Sequence, residues 1–222
     1  MQRKENFYLD NADILFQIKQ RMDFEALFNG MTKEEKAATN CQTVEDFKTM
    51  SITVLETLGE ICGTVLAPNS AQLEKEEIVL KNGEVHFPPS LTKNMQALLE
   101  FGCSSLGASP EYGGLATPFL IEMIASELIM RACPSTGLNV VWYSGVGHII
   151  EKFGSKAIKD QILPRIVAGE WSGCMALTEP DAGSDLANLR TYAEAQGDGT
   201  VKIYGSKRFI SNGCGQVALV LA

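Results

Sequence analysis

Through most of the first 170 residues the apolar positions return every three or four places. In TVEDFKTMSITVLETLGEICGTVLAPN, Val44, Phe47, Ser51, Val54, Leu58, Ile61 and Val65 keep that step and put one apolar stripe on a single helical face. The spacing predicts a core-facing helix of about five or six turns, opened by Thr43 with Asp46 as its cap and stopped at Pro68. Thr32 with Glu35 predicts a capping box on a shorter helix before it. DNADILFQIKQRMDFEALF predicts a further helix with Ile14, Ile18 and Met22 on one side, an N-terminal arm against the main bundle.

Residues 68–88 break the pattern. VLKNGEVHFPP sets Asn82-Gly83 between two short extended runs, the signal of a tight hairpin. Helical periodicity resumes at SLTKNMQALLEFG, pauses at the loop ASPEYGGLATP, and continues from Thr117-Pro118 through FLIEMIASELIMRAC and two more helices at 135–150 and 155–168. After Trp171 the period shifts toward two. WSGCMALT, TYAEAQ, VKIYG, RFIS and QVALVLA read as short strands, with Gly197-Asp198-Gly199 as a turn. The expected fold class is therefore α+β and multidomain: an N-terminal arm (1–40), an all-α helical bundle (41–170), and the first part of an antiparallel β-barrel domain (171–222). Because QVALVLA has no closing turn and nothing to cover its edge, the expectation is that the chain is a fragment cut inside its second domain.

Composition narrows the function classes. With 222 residues, 45% hydrophobic and 21% charged, the chain has the make-up of a globular protein. Twenty-seven acidic against 19 basic residues give a net charge of -8, which repels a phosphate backbone and argues against nucleic acid as a partner. There is no uninterrupted apolar run of the roughly 18 residues a membrane span needs, and MQRKENFYLD lacks the apolar core of a signal peptide, so a cytoplasmic location is expected. Cys41, Cys62, Cys103, Cys133, Cys174 and Cys214 show no C-x-x-C pair and no histidine at metal-site spacing; they read as reduced, mostly buried thiols, with no metal site among them.

The densest candidate chemistry is CMALTEPDAGSD. A strand ending at Thr178 runs into Glu179-Pro180-Asp181-Ala182-Gly183-Ser184-Asp185, where proline fixes one dihedral and glycine permits a positive φ. Two readings stay open from the residues: a capped turn whose carboxylates satisfy local N–H groups, or a ligand loop at the helical-to-β junction. A metal site from Glu179, Asp181 and Asp185 lacks the ligand count of a calcium loop. GCGQVA matches a dinucleotide pattern but leads into a strand-like run instead of the helix that motif requires. No G-x-S-x-G occurs; of the two histidines, His86 falls in the ribbon and His148 reads as a satisfied core histidine.

CMALTEPDAGSD together with GSKRFISNG, about two dozen residues on, resembles the acyl-CoA dehydrogenase family, and PEYGG, EKFGSKAIKDQILPRIVAGEW and ALVLA match further stretches of it. The resemblance covers most of the chain and is weakest before residue 40; FYLDNADILFQI and the hairpin insertion resemble the longer bacterial members, including those acting on methylmercaptopropionyl-CoA. It implies an α-helical domain, a central β-barrel and a second helical domain, with FAD between barrel and last helices. It further implies that Met175, Leu177 and Thr178 line the flavin from one strand, and Phe209, Ile210 and Ser211 from a second, Thr178 and Ser211 as hydrogen-bonding groups. Phe209 stands where the family more often has tryptophan, and Asp181 where it often has glycine; Ser184 matches a serine that contacts the CoA part of the substrate.

By the same resemblance the enzyme is an oxidoreductase that removes the α-proton of an acyl-CoA thioester and passes a β-hydride to flavin N5. Electrons leave through an electron-transferring flavoprotein, and the complete protein is a homo-oligomer. No catalytic residue is assigned in this chain, because the family's glutamate is expected beyond Ala222, and the 222 residues alone are expected to be inactive. The alternatives are an acyl-CoA oxidase or flavin monooxygenase of the same fold, or a non-catalytic acyl-CoA-binding scaffold.

Overall fold

The computed structural model describes residues 5–222, so the first four residues of the expected N-terminal arm lie outside it. The arm is broken in two. Helix α1 (Ala12–Phe16) runs on through a π-helical turn at Gln17–Arg21, and α2 (Phe24–Gly30) starts afresh on an Asp23 cap, because Met22 is extended. Ile14 and Ile18 are buried as the pattern predicts, while Met22 is only half-buried. Both predicted capping boxes form: Thr32 with Glu35 opens α3 (Lys33–Ala38), and Thr43 with Asp46 opens α4 (Val44–Ile61).

Pro68 does not stop the long helix. A π-helical turn at Cys62–Leu66 carries α4 into α5 (Ala67–Leu73), with Pro68 in the first turn of the new segment, where its missing N–H costs least. The enclosed face is also rotated from the predicted one: Phe47, Ser51, Leu55, Leu58, Cys62 and Leu66 are fully buried, and Val44, Val54, Ile61 and Val65 only flank them. By length and composition this continuous helix, Val44–Leu73, could cross a membrane. Its buried row, packed against α2 and the helices at 89–101 and 119–132, identifies it as the central helix of a packed bundle.

Around it stand α6 (Pro89–Phe101), α7 (Phe119–Ala132), α8 (Pro134–Phe153) and α9 (Lys156–Val167). The Asn82-Gly83 hairpin forms between β1 (Val79–Lys81) and β2 (Glu84–His86), both turn residues at positive φ as such a turn needs. The largest apolar cluster holds Leu55, Leu58, Leu98, Ile121 and Leu128 at no exposure. Each contributes roughly 1.5–3 kcal/mol by leaving water. A second cluster, Val146, Ile150, Leu163 and Ile166, reaches across to Val217 and docks the β segment on α8 and α9.

The N-terminal strap crosses α4 at Gly59. Phe7 N donates to Gly59 O at 3.0 Å and Asn6 Nδ2 to Glu56 O at 3.0 Å, and a Cβ on Gly59 would lie 2.8 Å from Tyr8 N. Only a glycine lets the strap come this close.

The β segment is only partly the antiparallel arrangement expected. Among the described residues there are three two-stranded sheets and no closed barrel. Strand β3 (Gly173–Ala176) pairs in parallel with β6 (Val217–Val220), while β4 (Tyr192–Ala195) and β5 (Val201–Tyr204) form an antiparallel hairpin around the predicted glycine turn. RFIS is not a strand: Phe209 sits at φ 59° in a bend, so the ladder cannot continue through it.

A polar relay crosses the core. Asn94, fully buried on α6, accepts from Asn69 Nδ2 at 2.8 Å and donates to Thr136 Oγ1 at 2.9 Å, linking α5, α6 and α8. Replacing Asn94 by leucine removes the acceptor of half-buried Asn69 and the donor to buried Thr136, and losing the partner of a buried polar group costs about 1–3 kcal/mol. Urea unfolding of Asn94→Leu is expected to show a loss of that size; unchanged stability would mean the relay contributes nothing net.

Candidate functional site

The candidate site is built where two runs of chain lie side by side. One leaves β3 through Leu177 and Thr178; the other is residues 207–212. Arg208 N donates to Thr178 O at 3.0 Å, and Asn212 Nδ2 donates to Gly173 O at 2.8 Å and Ser172 Oγ at 3.1 Å. As one run ascends from 173 to 178 the other descends from 212 to 208, so the runs are antiparallel neighbours although the second is not a strand. The sequence expectation that Met175, Leu177 and Thr178 face Phe209, Ile210 and Ser211 as adjacent segments thus has a geometric counterpart in the backbone.

The side chains differ in what they offer. Met175 lies on β3 opposite Leu219 and is half-buried, as are Leu177, Thr178 and Ile210. Ser211 is exposed, and Phe209 is 80% exposed, with the Arg208 guanidinium 4.4 Å from its ring centre. An aromatic ring this open, held on a bend, is a surface that a flat heteroaromatic group can cover. Ser184 is exposed in the bend after the 179–182 turn; that bend folds back on Thr178, whose Cγ2 would lie 3.9 Å from a Cβ at Gly183.

What holds the two runs together is a carboxylate that the pattern of the turn conceals. Glu179 is 6% exposed and accepts from Arg190 N at 2.8 Å, Thr191 N at 3.0 Å, the Thr191 hydroxyl, and Lys207 Nζ at 2.9 Å. Lys207 also donates to Leu177 O at 2.9 Å. The Thr191 hydroxyl, the Arg190 amide and Lys207 together hold the Glu179 carboxyl down to about 2. A buried carboxylate needs such donors, since desolvation alone drives it to its neutral form. The capped-turn reading was right about the residue type and wrong about locality: the donors lie 11 to 28 residues away. Lys207 carried no signal in the sequence beyond its place in GSKRFISNG.

The remaining acids of the turn stay outside this cluster. Asp181 lies 3.6 Å from Arg190, both exposed, and Asp185 accepts from Asn188. Among the described residues no three His, Cys, Asp or Glu side chains converge to hold a metal ion. Beside the two runs opens a cleft of about 330 Å³, between α6 and α8, lined by Leu91, Met95, Leu99, Tyr143, Ser172 and Asn212 among others. Burial pushes the Tyr143 phenol up, partly offset by a hydrogen bond with Ser172. The cleft is thus mostly apolar, with Gln96, Glu100 and Asn139 on the helices and Ser172 and Asn212 at the candidate wall as polar positions.

His148 departs from its predicted role. Its side chain is 36% exposed, and its Nε2 lies 3.4 Å from Gly107 O and 3.7 Å from Glu122 Oε2, a carboxylate buried on α7. Five of the six thiols are buried, Cys214 is exposed, and all are free. Enclosure pushes Cys62 up to about 12.

Comparison with known proteins gives a consistent pattern. The family model described as acyl-CoA dehydrogenase, N-terminal domain, matches residues 51–170, and that of the middle domain matches 174–222. The chain is 37% identical over 159 residues to 3-methylmercaptopropionyl-CoA dehydrogenase of Ruegeria pomeroyi, covering 72% of this chain and 27% of that protein. It is 35% identical over 163 residues to the human mitochondrial short-chain specific acyl-CoA dehydrogenase, covering 72% and 36%. Butyryl-CoA dehydrogenase from Megasphaera elsdenii shares the fold at TM-score 0.63 and 22% identity, covering 90% of this chain and 45% of that one. The chain therefore spans between about a quarter and a half of the length of these relatives.

The Glu179 cluster sets an acid sensitivity. Its folded-state pKa is depressed, so its stabilisation is complete above about 4.5 and is lost as pH falls toward about 2. Glu179→Gln is expected to melt at lower temperature at pH 7 and to show a flatter stability profile between those pH values. Superimposable acid-unfolding curves for variant and parent, followed by near-UV circular dichroism, would refute this.

Proposed function

This chain belongs to the acyl-CoA dehydrogenase family, and from that premise we propose that it forms part of a flavin-dependent acyl-CoA dehydrogenase, contributing one wall of the FAD site and a contact to the CoA thioester. The observation that carries this reading is the antiparallel run of residues 207–212 along 173–179, clamped by Lys207 on Glu179 and Leu177 O. The residues fit a flavin on chemical grounds: the open ring of Phe209, the hydroxyls of Thr178 and Ser211, and the half-buried apolar side chains of Met175, Leu177 and Ile210. Bound FAD would supply the hydride acceptor for oxidation of the acyl α,β bond.

The chain's own residues bind and orient in this reading. Thr178 and Ser211 offer hydrogen bonds fixed in place before reaction, which is how a preorganised site stabilises developing charge. Phe209 covers the ring face. Ser184, in the bend against Thr178, positions the CoA portion, and the apolar cleft along α6 and α8 receives the acyl chain. None of the glutamates here is given the role of general base. An electron-transferring flavoprotein as acceptor, self-association of the complete protein, a cytoplasmic location and the 1–40, 41–170 and 171–222 division belong to the same proposal.

Two measurements test it. In the complete protein, Phe209→Ala is expected to weaken FAD binding about two- to tenfold, the equivalent of a lost ring contact, with Thr178→Val weakening it further. Equilibrium dialysis showing unchanged FAD affinity in both variants would remove this wall from the site. The 222 residues alone are expected to reduce no artificial electron acceptor when given acyl-CoA; turnover above a protein-free control would place a catalytic base within them.

A further inference from the structure

A second cleft lies on the opposite side of α8 from the apolar one, and no part of the proposed flavin or acyl-CoA site uses it. It encloses about 390 Å³ between α2, α3, the loop at 107–118 and the later turns of α8. Its charged lining is Glu35 and Glu151, with no lysine or arginine among the described lining residues. Leu27, Met31 and Pro118 supply apolar wall, and Phe119, 64% exposed, stands edge-on to His148 at 6.0 Å.

Two buried groups point to a ligand rather than to a merely solvated acidic patch. Thr117 lines the cleft at 4% exposure, yet its hydroxyl has no hydrogen-bond partner among the described residues. Behind His148, Glu122 is 5% exposed and neither carboxylate oxygen accepts a hydrogen bond among the described residues, the imidazole standing 3.7 Å away in an ion-pair geometry. Native structures rarely leave such groups without a partner. The approach is built for closeness: a Cβ on Gly107 would collide with the Glu122 carboxylate and lie 3.1 Å from His148 Nε2.

The chemistry selects the ligand class. His148 Nε2 lies 3.4 Å from Gly107 O and 3.7 Å from Glu122 Oε2, so the imidazole stands among acceptors and is backed by a carboxylate. A cleft lined by an imidazole, a hydroxyl and two carboxylates, with a third carboxylate behind them, repels anions and attracts N–H donors. No three of its acids and histidines converge to hold a metal ion. The exposed Phe119 ring adds the face on which an ammonium group rests, and the apolar wall suits a short aliphatic tail. We propose that this cleft is a binding site for a primary alkylammonium group on a short aliphatic chain.

The test titrates the chain with n-hexylammonium chloride at pH 7.5 and low salt by calorimetry, with ¹H–¹⁵N spectra locating the site. Hexanol and hexanoate serve as neutral and anionic counterparts of equal length. Saturable binding of hexylammonium is expected, with shifts at Thr117, Phe119 and His148 and with hexanol and hexanoate binding more weakly. Phe119→Ala and Glu151→Gln each weaken it about two- to fivefold. Absence of saturable binding, hexanol binding as tightly as hexylammonium, or shifts confined to other residues would each overturn the proposal. The comparison of the three ligands on the unaltered chain decides it even if a variant fails to fold.

Discussion

The contact between Lys207 and Glu179 governs how the β segment is arranged. A carboxylate enclosed to this degree is tolerated only with donors around it, and here they come from two stretches of chain, Arg190-Thr191 after the turn and Lys207 before the bend, while Lys207 also donates to the carbonyl of Leu177 on a third. Directional bonds to one buried group therefore fix three otherwise irregular segments against each other. Hydrophobic burial could not do this, because most side chains of residues 183–216 are exposed. The candidate wall is consequently held by polar geometry and docked to the helices by a small apolar patch around Val217.

The helical half works the other way round. Its rigidity comes from leucines and isoleucines without exposure, with the Asn69–Asn94–Thr136 relay as a polar link between three of its helices. That division suits a binding protein. A densely packed bundle gives the cleft along α6 and α8 fixed walls, and an irregular segment beside it presents hydroxyls and a ring in conformations that strands do not offer.

What the sequence revealed follows from the range of the forces involved. Capping boxes at Thr32 and Thr43 and the Asn82-Gly83 hairpin depend on residues within a few positions of one another, and each formed as read. The existence of α6 to α9 was legible from periodicity, which reports burial along one element. Pro68 misled because its cost depends on whether the preceding turn widens, and the π-helical turn at Cys62–Leu66 has no local signature. RFIS has strand-like composition, but the positive φ at Phe209 answers to contacts with 172–179, not to its neighbours in sequence. The family motifs lie on two runs that the structure sets side by side; Lys207, Glu122 and the setting of His148 became visible only with three-dimensional neighbours.

The π-helical turn between α4 and α5 has a geometric effect that extends past Pro68. One additional residue in a helix advances everything downstream by about 100° around the axis. Asn69 reaches Asn94, and Leu73 reaches the core, in the phase that this extra residue creates. Shortening the stretch 62–66 by one residue would restore a uniform helix and swing that polar contact away from its partner. The widened turn thus acts as a phase adjuster, matching the angular setting of the first half of the longest helix to that of the second.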